Sequence, residues 1–317
     1  MLMKKRIFTG IVIAFIGIPL LLVDCLFPLL QCVIILFSVV ATMEMIQMCE
    51  RKKKIPLGVK IIIILSTILI YLGIVNEDPS CGRSLITQLM NKIDFKVNII
   101  TTLTIACAAI FSCQVFVKDF DATVVGKCFM IVFYVALSFS AITILLFNGM
   151  RFIVYLMIIS VFTDIFALVF GMKFGKHKLC PHISPKKTWE GAIGGTICAT
   201  IMGSMFAIFY NYFGHYFVPD KEPIKFFFGV FDYEKMPAAL MVIVLIVLTA
   251  LISVSSQIGD LICSKFKRTY EIKDFSQVFP GHGGILDRFD SVLFASIVFL
   301  CFITVIRVAL PLMGMSV

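Results

Sequence analysis

The chain has 317 residues, 60% of them hydrophobic and only 15% charged, with a net charge of +9 and a mean hydropathy of +1.03. Soluble domains run at about 45–50% apolar and about 25% charged residues, so a water-soluble fold of this size could not hide so much apolar surface. An outer-membrane barrel is also excluded, because its segments of about ten residues alternate in polarity, whereas here the apolar runs are long and continuous.

Taken in chain order, nine stretches approach the roughly 20 apolar residues that a helical span requires: 7–23, 27–48, 57–75, 99–117, 127–147, 152–171, 191–213, 237–262 and 291–312. The first follows Lys4, Lys5 and Arg6, as the core of a secretory signal would. No A-x-A-like cleavage site follows it and the second stretch begins almost at once, so it is read as a retained span. Segment 76–98 reads as an external loop with a short amphipathic helix. Backbone groups inside a bilayer must be satisfied within the segment. The expected fold is therefore all-α, a polytopic membrane helix bundle of about nine spans. Two regions are expected: N-terminal transmembrane helices over 1–125, and a C-terminal transmembrane region over 126–317 whose polar stretches, 172–190 and 260–290, face the cytoplasm.

That orientation comes from the basic residues. Lys4, Lys5 and Arg6, the run Arg51–Lys52–Lys53–Lys54 with Lys60, the group Lys173, Lys176, Lys178, Lys186 and Lys187, and the group Lys265, Lys267, Arg268, Lys273 and Arg288 all fall on one side of a nine-span chain. The positive-inside rule then puts the amino terminus in the cytoplasm and the carboxyl terminus outside. The run 51–54 is read as a topology signal and a contact for anionic headgroups. The connection 214–236 mixes both signs, and the one containing Lys118, Asp119, Asp121 and Lys127 is neutral. Eleven cysteines are scattered without C-x-x-C spacing. They suggest neither a disulfide framework nor a zinc site.

Polar residues concentrate in Asp164–Gly195 and Gln257–Asp290. Asp164 and Asp260 lie inside apolar helices, where a carboxylate costs a few kcal/mol and usually faces a cavity or a partner; metal or substrate contact competes there with a buried ion pair. Asp287 and Asp290 are three apart around Arg288, and on the first turn of the last helix they would share a face. With Asp260 they could hold one or two hard cations, since Mg²⁺ takes oxygen ligands and needs only one or two protein carboxylates. Helix capping is the competing role for Asp287.

Lys265, Lys267, Arg268, Lys273 and Arg288 lie among these acids, a set of donors suited to a polyphosphate. Lys186 and Lys187, after Ser184-Pro185, precede a helix starting near Thr188 or Glu190, whose free amides suit a phosphate. Gly281, Gly283 and Gly284 surround His282, so the backbone there can approach a phosphate closely. His282 itself reads equally as ligand, phosphate donor or turn residue. Gly171-x-x-x-Gly175-Lys176 is one residue short of a phosphate-binding P-loop and lacks its Ser/Thr. There is no G-x-S-x-G or H-E-x-x-H.

Ser264, Lys267, Arg268, Lys273, Asp274, Pro280, His282, Gly283, Gly284, Asp287, Arg288 and Asp290 fill the pattern S-x-x-K-R, K-D, H-G-G-x-x-D-R-x-D. This resembles the signature of the phosphatidate cytidylyltransferase (CDP-diglyceride synthetase) family. Asp164, Ala167, Gly171, Gly175, Lys176, Ser184, Pro185, Lys187, Thr188, Trp189 and Gly191 match a second family pattern, with Leu168 standing where an aromatic is common. The resemblance covers roughly the last half of the chain; the earlier spans share only hydrophobicity with the family.

The resemblance implies a multi-helix membrane enzyme that joins CTP to phosphatidic acid, giving CDP-diacylglycerol and pyrophosphate; with no organelle address visible, the bacterial inner (cell) membrane is the expected location. It implies Mg²⁺, with room for a second cation; Asp260 and Asp287 would be the main ligands and Asp290 would stand behind them. Lys267, Arg268, Lys273 and Arg288 would hold phosphates and act with Asp260 and Asp287 in catalysis. Ser184, Lys187, Thr188, Ser264, His282, Gly283 and Gly284 would bind substrate. The expected partners are CTP, phosphatidic acid in the bilayer and a second copy of the chain, with no nucleic acid. Replacing Asp287 with Asn is expected to abolish turnover without unfolding the protein. A CTP-dependent polyprenol kinase and an anionic-lipid transporter are the competing readings. The transporter would place its polar groups near the membrane midplane.

Overall fold

The computed structural model describes residues 19, 26–94, 98–118, 120–217, 238–278 and 283–312. All of the expected first span at 7–23 except residue 19, and most of the loop 214–236, lie outside the described residues. Among the described residues, eight helices are long and apolar enough to cross a membrane, and they fall on the eight remaining predicted stretches. The chain is an all-α, multi-pass membrane protein.

A 3₁₀ turn at Phe27–Leu29 leads into α1 (Leu30–Glu50), followed by α2 (Leu57–Glu77), a 3₁₀ turn at Pro79–Arg83, and the short α3 (Leu85–Lys92). Then come α4 (Ile99–Phe116), α5 (Ala122–Asn148), α6 (Met150–Phe174), strands β1 (Lys178–Cys180) and β2 (Ser184–Thr188), α7 (Trp189–Phe217), α8 (Ala238–Thr269) and α9 (Leu286–Leu312). The helix expected in the loop 76–98 is α3. It starts where the Ser84 hydroxyl accepts from Thr87 N–H at 3.2 Å, a serine N-cap.

Two boundaries move for identifiable reasons. Helix α5 begins at Ala122, ahead of the predicted 127, because the Asp121 carboxylate accepts from Val124 N–H at 2.9 Å and caps it. That bond holds the Asp121 carboxyl below the usual carboxylate range. Helix α8 continues past the predicted 262 to Thr269, carrying Lys267 and Arg268 in its last turn, where cations complement the helix dipole. The antiparallel pair β1–β2, with Lys178 opposite Thr188 and Cys180 opposite Ser184, was not expected. It is too short to show a period-2 pattern. It closes through a turn in which Ile183 N–H donates to the Cys180 carbonyl at 3.1 Å.

The chain forms two compact units, one comprising Met1–Phe147 with Lys265–Phe289, the other Asn148–Ser264 with Asp290–Val317. In the first, α1 buries one polar side, in which Ser38 donates to the Ile35 carbonyl and Thr42 to the Ser38 carbonyl. Tyr71 of α2 is fully buried and bonds Thr143 of α5 at 2.8 Å.

In the second unit, Tyr155 of α6 bonds Thr249 of α8 at 2.5 Å, and Thr163 bonds Ser253 at 2.7 Å. Such interhelical bonds average about 0.6 kcal/mol in membrane proteins. Helices α6 and α7 pack at glycines: a Cβ on Gly191 would stand 2.5 Å from the Ala167 carbonyl oxygen and 3.1 Å from the Gly171 Cα. Small residues allow this close backbone approach.

Candidate functional site

In the second unit, the glycine-packed crossing of α6 and α7 fixes β2 and the start of α7. Thr188 is buried and its hydroxyl accepts from Gly191 N–H at 3.2 Å, so it caps α7 one residue before Trp189. The helix start therefore lies where the sequence placed it. His177 bridges back to this turn, with Nδ1 2.7 Å from Glu190 Oε1 and its carbonyl accepting from Trp189 N–H at 3.0 Å. Ser184, at the head of β2, is half-buried, and Lys186 is exposed.

Lys187 forms an ion pair with Asp260 of α8. The two side chains retain 25% and 26% of their accessibility, so both remain reachable by substrate. Ser264, one turn on, lies 3.4 Å from Asp260 Oδ1. Gln257 ties α8 to α7 by donating to the Ala192 carbonyl at 3.2 Å and to Thr196 Oγ1 at 2.8 Å. The Ser291 hydroxyl stands 3.5 Å from Asp164 Oδ2 and 3.4 Å from Asp290 Oδ1. A Cβ on Gly259 would stand 2.6 Å from the Asp290 carbonyl oxygen, so α8 and α9 touch backbone to backbone beside these acids. Asp164, Asp260 and Asp290 thus belong to one unit, with Lys187 as a basic member.

In the first unit, Lys267 pairs with Asp287 at 3.0 Å, with side chains 17% and 6% exposed. The same Asp287 accepts Phe275 N–H at 2.8 Å and Gly284 N–H at 3.1 Å through Oδ2. Capping, one of the two roles open to Asp287, is therefore realised, together with an ion pair. Gly283 has φ +84°, a backbone conformation that glycine adopts without strain. Arg268, Lys273 and Arg288 are exposed. His282 and Pro280 lie outside the described residues.

One residue of this loop's environment was missed. Glu44 of α1 is only 1% exposed. It accepts from Ser276 Oγ at 2.5 Å, Ile285 N–H at 2.9 Å and Leu286 N–H at 2.9 Å. The signal was present: it is a carboxylate inside an apolar span, which is the reasoning that singled out Asp164 and Asp260.

The donors are carboxylates and hydroxyls, the chemistry of a hard-cation site. Among the described residues, no group of three or more His, Cys, Asp or Glu is arranged to hold a metal ion. A cation here would rest on one or two carboxylates, with water and phosphate completing its shell.

Comparison with known proteins places this geometry in context. A sequence model described as the cytidylyltransferase family matches residues 4–306. The chain is 39% identical over 167 residues to a phosphatidate cytidylyltransferase of Staphylococcus haemolyticus (strain JCSC1435), covering 53% of this chain and 54% of that protein. It is 38% identical over 167 residues to the phosphatidate cytidylyltransferase of Staphylococcus aureus (strain COL), and 35% identical over 167 residues to that of Staphylococcus saprophyticus. These two alignments likewise cover 53% of this chain and 54% of the relative. The chain thus spans about half the length of the curated relatives it matches. Because the family model covers nearly all of the sequence, the chain belongs to the cytidylyltransferase family.

Proposed function

We propose that the protein is a phosphatidate cytidylyltransferase, converting CTP and phosphatidic acid to CDP-diacylglycerol and pyrophosphate. The observation that carries this reading is the pairing of each motif's lysine with an aspartate, Lys187 with Asp260 and Lys267 with Asp287. A lysine so paired can exchange its carboxylate for a phosphate, and the aspartate can exchange its ammonium for a cation. A nucleoside triphosphate that arrives with a divalent cation provides both replacements. The names of the staphylococcal relatives point the same way.

In the reaction a phosphate oxygen of phosphatidic acid attacks the α-phosphorus of CTP. A new P–O–P linkage forms, the bond from the α-phosphorus to the β-bridging oxygen breaks, and pyrophosphate leaves in line. The nucleophile is already anionic, so no strong general base is needed. Catalysis is then mostly positioning and electrostatic stabilisation. Lys267, Arg268, Lys273 and Arg288 hold phosphates. Ser184, Lys187, Thr188, Ser264, Gly283, Gly284 and His282 contact substrate, with Thr188 doing so from its capping position. The carboxylates we assign to Mg²⁺ are Asp260 and Asp290 in one unit and Asp287 in the other; bound to them, Mg²⁺ would supply charge neutralisation to phosphate oxygens.

The amino terminus is proposed to be cytoplasmic, so that headgroup chemistry takes place on the side where CTP is made. A bacterial cell membrane as the location agrees with the apolar helices and the staphylococcal relatives. The test is pyrophosphate release by detergent-purified protein supplied with CTP and Mg²⁺. The reading predicts release that depends strictly on phosphatidic acid. Release of CDP on a polyprenol, with no response to phosphatidic acid, would reject it.

A further inference from the structure

We propose that Glu44 is a positioning residue for the loop between α8 and α9, acting with Asp287 to hold the two ends of that loop together. The inference rests on the proposed cytidylyltransferase reading. At one end of the loop, Phe275 N–H donates to Asp287 and Ser276 Oγ donates to Glu44, at 2.8 and 2.5 Å. At the other end, Gly284 N–H donates to Asp287 at 3.1 Å, while Ile285 N–H and Leu286 N–H donate to Glu44, both at 2.9 Å. Two carboxylates thus receive donors from two consecutive residues on one side and three on the other. Between them lies the segment carrying the H-G-G sequence.

The sequence of the loop explains why an outside acceptor is needed. Helix α9 begins at Leu286, and the first amides of a helix have no partner within it. A Ser, Thr, Asn or Asp just before the helix usually supplies one. Here those positions are Gly283, Gly284 and Ile285, which have no side-chain acceptor. Gly284 cannot supply one either, because a Cβ there would press on the Glu44 carboxylate. The cap therefore comes from α1, a helix whose Glu44 would otherwise be an uncompensated carboxylate in an apolar span. Glu44 packs against Gly284 from the side of α1 and is not itself assigned to substrate; it acts by fixing the start of α9, where Asp287 stands.

The test uses the full-length purified protein, with Glu44→Gln and Ser276→Ala. A Gln keeps the shape but turns an NH₂ toward one of the donors. We expect faster hydrogen exchange in peptides covering Ile285 and Leu286, by about tenfold or more. We also expect kcat to fall by about 10–100-fold, as for other residues that orient a ligating group, with KM for CTP nearly unchanged. Ser276→Ala should shift kcat the same way by a smaller factor without altering the melting temperature. Faster exchange with wild-type kcat would make Glu44 merely structural and overturn the proposal, as would unchanged exchange. If Glu44→Gln does not fold, a wild-type kcat in Ser276→Ala overturns it. If the wild-type protein does not make CDP-diacylglycerol, the functional reading falls on its own, and exchange at the two amides still shows whether Glu44 holds the loop.

Discussion

Replacing Asp287 with Asn should cost both turnover and fold stability. Its carboxylate serves three donors: Lys267 Nζ on Oδ1, and the amides of Phe275 and Gly284 on Oδ2. An Asn can keep the two backbone bonds only by turning its NH₂ toward the Lys267 ammonium. A hydrogen bond to a charged group is worth about 1.5–3 kcal/mol, and stranding one member of a fully buried pair costs about 3–5 kcal/mol. Lys267 keeps 17% of its accessibility, so water takes up part of the charge. We expect a loss of about 2–3 kcal/mol, near the lower end of those ranges. The assay is reversible unfolding in mixed micelles on Asp287→Asn, Lys267→Met and the double variant. Neighbours in one ion pair typically show coupling of about 0.5–3 kcal/mol, so the double variant should lose clearly less than the sum of the singles, while turnover stays absent. Zero coupling, or an Asp287→Asn protein as stable as wild type, would mean that the Lys267–Asp287 pair does not stabilise the fold.

Three further outcomes follow from other parts of the molecule. Lys187→Met should lower turnover by about 100-fold or more through lost charge stabilisation, yet shift the melting temperature little, since partly exposed pairs contribute about 0–1 kcal/mol; a large melting shift at full activity would contradict the assignment. Gly191→Ala should destabilise by about 1–3 kcal/mol through overpacking at the α6–α7 crossing, measured by thermal unfolding, with wild-type stability as the contrary result. Burial pushes the Cys81 thiol up to about 12. A raised thiol pKa keeps the unreactive neutral form, so alkylation followed by peptide mapping should find Cys81 unmodified at pH 8 while Cys180 on the hairpin reacts. The Cys81 rate should still climb at pH 10, and a plateau near pH 8.5, the value of an ordinary thiol, would be the contrary result.

The helices were legible because apolar run length is a strong signal and a bilayer leaves the backbone few alternatives. The start of α7 was legible because Thr188 is a recognisable cap residue. The β1–β2 pair was not, since three- and five-residue strands carry no periodicity. Part of the second motif proved to serve packing: Ala167, Gly171 and Gly191 bring two helices together and so seat Lys187, which a reading by charge alone does not reveal. Glu44 escaped because its donors, Ser276, Ile285 and Leu286, lie more than 230 positions away in sequence. A lone glutamate in an apolar span shows its cost locally, but its partners appear only in the fold.

Nucleotidyl transfer to a lipid phosphate is tested most directly by following label from CTP that carries it on the α-phosphate. Purified protein is given that nucleotide, phosphatidic acid and Mg²⁺, and the products are separated into lipid and aqueous fractions. Label should enter a lipid that matches CDP-diacylglycerol, with one pyrophosphate released per lipid formed and none in the Asp287→Asn protein. Label confined to water-soluble CDP, or no turnover by folded wild-type protein, would contradict nucleotidyl transfer.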